Sequence, residues 1–355
     1  MPQLFADITT PYINEATLKR VMSSRVKDNI FQGIFTRPGE AVTEKFSEDT
    51  EAAQIQVIRV KPNQTDAREI GADVNGGWFN NQDAHTASTE AYPINILTTI
   101  DDLIDIPTNQ QDMMNVDVAE AELSNLAGKV NKNVNALTIA VQLKKNFNDV
   151  AAELVEKNWV ELDKDAPNYM RAILSAGTKL DDGNEAEGVD AYPDEARAIF
   201  MRSSAKEYLL STGQLIVGGS NAAQRIIQRG GLDANTDPDV AATGYLGEVN
   251  NMPAYMASKA VWTLVEKYLG LSAGALNGVE MLVVSAIGTG RALAFNNAIK
   301  IVDTPNGQGR RLQPKYRMGA ECWDALSVVP VVKNGFTNPA TAEAQLTVRA
   351  PGSRA

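Results

Sequence analysis

Residues 108–147 contain no proline, and apolar side chains recur through them at steps of three and four: Val116, Ala119, Leu123, Leu126, Val130, Val134, Leu137 and Val141. Only Gly128 interrupts the run, and Thr108 and Gln111 stand at capping-box spacing before it. The pattern predicts one long amphipathic helix over about 112–147. A helix of that length cannot cover its own apolar stripe, so the rest of the chain must supply the opposing surface. Few complementary charges occupy the flanking positions that would guide a coiled coil, which favours packing on a sheet.

The segments before the helix suit neither a core nor a second helix of that kind. Residues 1–35 read as an arm with a helical patch carrying Leu18, Val21 and Met22 on one face. Residues 36–105 read as a long two-stranded excursion. "AAQIQVIRV" and "YPINILTTID" alternate apolar and polar positions, and a polar, glycine-containing insertion separates them. A lone hairpin is barely stable in water, so this one needs another surface, from its own chain or from another.

Beyond the helix, "DVAAELVEKNWVEL", "PNYMRAILSAGTKL", "SSAKEYLLST" and "AVWTLVEKYLG" read as helices, with "ARAIFMR" and "MPAYMAS" as short strands between them. From 279 to 333 the chain is mostly strand: "VEMLVVSA", "AIKIVD", "KYRMGAEC" and "LSVVPVV", with "TPNGQGRR" as a turn. The final segment, 334–355, is small and polar and reads as a tail. No internal repeat is present. At 355 residues the chain exceeds what one core usually serves, roughly 250 to 300 residues, so two domains or one core with long projections are expected.

Charge and rare residues narrow the function. The net charge of −11 opposes a phosphate backbone. The densest basic run, Arg310, Arg311, Lys315 and Arg317, is as compatible with a solvated hairpin as with a binding patch. One cysteine, Cys322, allows no internal disulfide, which fits a reducing compartment. No stretch is long and apolar enough for a membrane span, and the start lacks the order of a signal peptide, so a soluble chain is expected.

Candidate chemistry is sparse. "VVSAIGTGRALAF" resembles a strand, glycine turn and helix, the opening of a dinucleotide site. Gly288 and Gly290 fit that spacing, but Leu293 stands where a third glycine is needed, and the helical stretch after it is too short for a crossover between parallel strands. A tight turn between core strands is the expected reading. Ser220 in "VGGSNAA" hints at a nucleophile elbow, yet the only histidine, His85, lies far upstream in a polar loop. One cysteine and one histidine cannot make a usual zinc site, and the acidic "DDGNEAEGVD" lacks the ligand spacing of a calcium loop. Asp101, Asp102 and Asp105 sit at a strand end, and Asn63 begins a glycosylation pattern only. No catalytic, cofactor-binding or metal-binding residue is assigned, and no cofactor is expected. The balance points to a structural chain rather than an enzyme; a cytosolic α/β enzyme acting on a nucleotide or phosphorylated substrate is the rival of a different class.

The order of parts, arm, long hairpin, long helix, mixed domain and returning strands, resembles the major capsid protein of tailed bacteriophages. Encapsulin nanocompartments and the herpesvirus capsid floor share that fold. "VDAYPDEARAIFMRSSAKEYLL", "GYLGEVNNMPAYMAS" and "ALAFNNAIKIVDTPNGQGRRLQPKYRMGAECWDALSVVPVV" carry the likeness, although Asn251 stands where a glycine is common. The resemblance implies an α+β fold with an N-terminal arm (1–35), an E-loop projection (36–105), a peripheral domain (106–150 and 306–333, with a spine helix at 112–147), an axial domain (151–305) and a C-terminal tail (334–355). It further implies hexamers and pentamers of identical subunits closing into an icosahedral shell around phage double-stranded DNA, with no sequence-specific DNA contact and no membrane. Separate scaffold, portal and decoration proteins are the implied partners, and the implied location is the virion capsid, after assembly in the host cytoplasm. An encapsulin-like shell is the nearer alternative.

Overall fold

Alternate residues of the central strands face opposite layers, and this alternation sets the architecture. In the computed structural model, residues 54–60, 89–100, 104–107, 118–184, 189, 191–213, 245–250, 252–294, 299–303 and 309–349 are described. A six-stranded sheet is built from β5 (Val160–Glu161), β6 (Arg197–Met201), β7 (Tyr245–Val249), β8 (Met252–Met256), β9 (Val279–Ser285) and β13 (Val328–Val332), in the order β5-β13-β9-β6-β8-β7. Strands β6, β9 and β13 are buried at every residue. Ala198, Phe200, Leu282, Val284, Val328 and Val332 point to one cluster, while Ile199, Met201, Met281, Val283, Val329 and Val331 point to the other. A sheet covered on both faces reads as continuous apolar runs, as these three strands do.

The first face is covered by α1 (Val118–Ala151) and α4 (Lys259–Tyr268), and the second by α2 (Tyr169–Asp181) and α3 (Ser203–Ser211). Sequence fixes the starts of two of these helices locally. Asn168 caps α2 by accepting from the Arg171 amide at 3.0 Å, and Ser258 caps α4 by accepting from the Val261 amide at 3.4 Å.

The long helix runs four residues beyond the expected end, reaching Ala151; residues 112–117 and the capping pair lie outside those described. At 1.5 Å per residue it is on the order of 50 Å long. It is not amphipathic throughout. Every residue from Val134 to Leu143 is buried, including Asn135, Thr138 and Gln142. Over this segment the helix lies against α4, β12 and β13, so its polar residues there are enclosed as well, while Lys129 and Lys132, nearer its start, are exposed.

The stretch 149–162, expected to be helical, divides after Ala151. Glu153 takes a left-handed backbone at φ 56°, and Val160–Glu161 pairs in parallel with β13. Tertiary contacts outweigh helix propensity here. Trp159 meets Phe147 and Phe336 edge-on, at centroid distances of 6.4 and 6.2 Å, and the Asn158 amide donates to two carbonyls of the 325–328 turn.

A second sheet is organised around one strand, β12 (Gly309–Cys322), 14 residues long. It pairs antiparallel with β3 (Leu97–Ile100), β4 (Ile104–Pro107), β10 (Thr289–Ala294) and β11 (Ile299–Asp303). Gln313 and Pro314 fall between the β4 and β3 ladders on one edge of β12 and pair with Lys300 and Ile299 of β11 on the other. The turn expected at "TPNGQGRR" is shorter than its motif: Gly309–Arg311 already belongs to β12, and 304–308 lie outside the described residues. The remaining pair, β1 (Gln54–Val60) and β2 (Thr89–Asn95), forms a separate antiparallel ribbon.

The closing segment 334–349 has no helix or strand, yet it is tied down. Asn148 donates to the Leu346 carbonyl at 2.9 Å and accepts from the Leu346 amide at 2.7 Å. The Arg349 amide donates to the Tyr268 carbonyl, and Ala340 and Leu346 are buried in the first cluster. Among the described residues no helix is long and apolar enough to cross a membrane.

Candidate functional site at the ribbon base

Strand β2 continues through Ile96 into β3, so one stretch of chain leaves the ribbon and enters the second sheet. Leu97 pairs with Met318, and the next residue of β12 is Gly319. A side-chain carbon at Gly319 would lie 2.6 Å from the Asn95 carbonyl oxygen and 2.8 Å from Ile94. Gly290, on the neighbouring β10, is similarly close: a carbon there would lie 2.6 Å from Trp323 and 3.2 Å from Ile94. Gly290 pairs with Glu321 and Ala292 with Gly319, which puts the two glycines two positions apart on one face. Together they form a notch, and Ile94, fully buried, fills it. Above it the Tyr92 ring stacks on Trp323 with centroids 5.3 Å apart and planes at 28°.

Beside this seat lies an open cleft of about 360 Å³ lined by Asn95, Leu137, Lys144, Asn148, Glu321 and Leu346, among others. The ribbon, the long helix, β12 and the closing segment meet there. Lys144 and Glu321 span it as an ion pair at 2.6 Å.

The stretch "VVSAIGTGRALAF" serves this joint rather than a phosphate. Its strand ends at Ser285, a single short turn follows over Ala286–Gly288, and Thr289–Ala294 is a strand instead of a helix. The expected tight turn between core strands is present, and it carries the chain from the first sheet to the second. Gly288 has no room for a side chain, since a carbon there would meet the Ser327 hydroxyl at 1.9 Å.

Next to that turn is a buried polar hub. Asp324 accepts from the Tyr192 hydroxyl, from the Asn184 amide at 2.9 Å and from the Leu326 amide at 3.1 Å. Cys322 is fully enclosed beside it; burial pushes its thiol up to about 12, with the Asp324 charge adding to the effect. Such a thiol stays protonated at neutral pH and is a poor nucleophile.

The other residues singled out in the sequence do not converge. Ser220, His85, Asn63, Asp101 and Asp102 lie outside the described residues. Asp105 sits on β4 opposite Arg311. Arg310, Arg311, Lys315 and Arg317 are spread along β12 rather than gathered at a hairpin tip. In the acidic loop, Asp181 pairs with Arg197 at 2.6 Å, and Asn184 bridges to Val189. Among the described residues no group of three metal-ligating side chains occurs. Sequence reading missed the seat itself, although a glycine within the strand "YRMGAEC" is a recognised sign of close backbone approach.

No protein-family model matches the sequence, and no curated protein matches it. Among solved structures, the capsid of Ralstonia phage GP4 is similar with a TM-score of 0.51 at 10% identity, over 88% of this chain and 87% of that one. The chain has the phage capsid fold. The resemblance read from the order of its parts, and the α+β class with it, is therefore shown at the level of fold. The capsid of cyanophage P-SCSP1u aligns at 15% identity and a TM-score of 0.47, covering 83% and 88% of the two chains. A Microbacterium phage Oxtober96 chain aligns at 9% and 0.47, covering 84% and 93%. Within the phage capsid fold of this chain, the seat of Ile94 is the point where the ribbon joins the body.

Proposed function

We propose that this chain is the major structural subunit of a phage capsid, assembling as hexamers and pentamers into an icosahedral shell around double-stranded DNA. The observation that carries this reading is the likeness to the Ralstonia phage GP4 capsid over nearly the whole of both chains. Two physical features support it. The β1–β2 ribbon is two strands only, and such a pair is marginal in water unless something lies against it. The net charge of −11 suits a wall that must not adhere to packed DNA.

On this reading the role is non-catalytic, and residues 36–105 are the projection that contacts neighbouring subunits. The location is the virion capsid, after assembly in the host cytoplasm, with scaffold, portal and decoration proteins as separate partners. Negative-stain microscopy and light scattering of the purified chain test it. Shells, rings or tubes of megadalton mass are expected; a compact monomer or dimer at high concentration overturns the proposal. Nuclease-protected DNA inside particles separates a genome shell from one that encloses protein cargo.

A further inference from the structure

We infer that the notch formed by Gly290 and Gly319, filled by Ile94 and covered by the Tyr92–Trp323 stack, is the seat that sets the direction of the β1–β2 ribbon and thereby decides whether shells close. The inference rests on the shell reading above, and it assigns that reading to particular residues.

The main contacts of the ribbon with the body run through β2 to β12 and β10. Its strands pair with each other and with no third strand. It meets the body where β2 passes over β12, and there the separation is backbone-close: the Asn95 carbonyl stands 2.6 Å from where a Gly319 side-chain carbon would be. Contacts that real side chains essentially never make force a shift, and a carbonyl in the crossing strand cannot yield without moving that strand. Ile94 is fully buried and lies against both glycine positions, with Ile96 beside it at 3.1 Å from where a Gly319 side-chain carbon would stand. The stack at Tyr92, two residues outward on the same face, fixes a second point. Two points on one strand define a direction. One without the other would leave the ribbon free to swing.

The test uses the full chain and two kinds of variant. Gly319→Val fills the notch and lifts the strand; Ile94→Ala with Tyr92→Ala empties the seat without adding bulk. Gly177→Ala on α2, where a side-chain carbon would meet nothing within 4 Å, is the control. Hydrogen–deuterium exchange is read on peptides spanning 89–100 and, for the body, 279–285; assembly is read by electron microscopy. In both seat variants, exchange at 89–100 should rise at least about tenfold while 279–285 stays protected, a loss of local rather than global structure. The same variants should give open, misshapen or no shells where the parent and Gly177→Ala give closed ones.

If Gly319→Val unfolds the body, the double truncation decides alone, since it removes atoms and introduces no clash. Normal protection at 89–100 in the truncation variant overturns the seat. Raised exchange with shells of normal size overturns its role in closure. A parent that forms no shells fails the shell reading instead, and exchange then still decides whether the seat holds the ribbon.

Discussion

The side-chain amides of Asn146 and Asn158 donate to the same two carbonyls, those of Ala325 and Val328, at 2.8 to 3.3 Å. Asn146 lies on the long helix and Asn158 on the irregular stretch after it, so the pair clamps the turn into β13 from two directions. Removing one donor still leaves each carbonyl its other amide partner, so the loss is that of ordinary buried hydrogen bonds, about 0.5–1.5 kcal/mol. Asn158→Ala should lower the denaturant midpoint accordingly, and Asn146→Ala more so, because that amide also donates to the Asn158 carbonyl at 3.1 Å. An unchanged midpoint in both would show that the clamp is not holding the turn.

Two glycines that look alike in the sequence should respond with opposite signs. Gly288→Ala forces a carbon onto Ser327 at 1.9 Å, and overpacking of this kind costs about 1–3 kcal/mol. Gly177→Ala adds a methyl group where there is open space, inside α2, and should stabilise by up to about 1 kcal/mol through helix propensity. Thermal melts of the two single variants are sufficient to check the contrast.

Cys322 gives a clean probe because it is the only cysteine. Buried, with its thiol pushed up to about 12, it should resist maleimide in the native protein near neutral pH. Labelling should become complete in denaturant. Rapid native labelling would contradict the enclosed position of the β12 end.

Stability should fall at alkaline pH. Burial, with Glu280 beside it, pushes the Tyr169 hydroxyl up to about 12 from its ordinary 10, and burial next to Asp324 raises Tyr192 as well. The folded state therefore holds these protons more tightly than the unfolded chain. That contribution is fully present below pH 10 and is lost as pH rises through about 12. Denaturant midpoints across this window should decline, and Tyr169→Phe should flatten the slope. A slope that is the same with and without Tyr169 would remove it as a cause.

The ribbon should be dispensable for folding and necessary for closure. Val57 and Tyr92 are directly paired, so excising residues 58–91 and joining the ends through an Asn-Gly turn keeps Tyr92, Ile94 and their seat. The shortened chain should melt within a few degrees of the parent and yield no closed shells. Normal shells would sever the projection from inter-subunit contact.

Much of the fold is legible in the sequence because burial leaves a period behind. The continuous apolar runs "AIFM" and "VEMLVVS" mark strands covered on both faces, and Asn168 and Ser258 mark helix starts. Where three-dimensional partners decide, the sequence is silent. Nothing near 149–162 announces that Asn158 will bind a turn 167 residues away, and so a helix is the natural expectation there. Nothing in the apolar stripe of α1 shows that Asn135, Thr138 and Gln142 are enclosed too. The glycines of "AIGTG" are visible as a turn, but their purpose depends on Ser327, Trp323 and Ile94, which distance in sequence conceals.

Strand β12 has a mechanical consequence. Tension applied to the ribbon passes along β2 into β3, and β3 is laddered to β12, which is laddered in turn to β4, β10 and β11. A pull would thus be spread sideways over several rows of hydrogen bonds, and through the Lys144–Glu321 pair onto the long helix. On the shell reading, load on the ribbon would fall first on β12, the longest described strand.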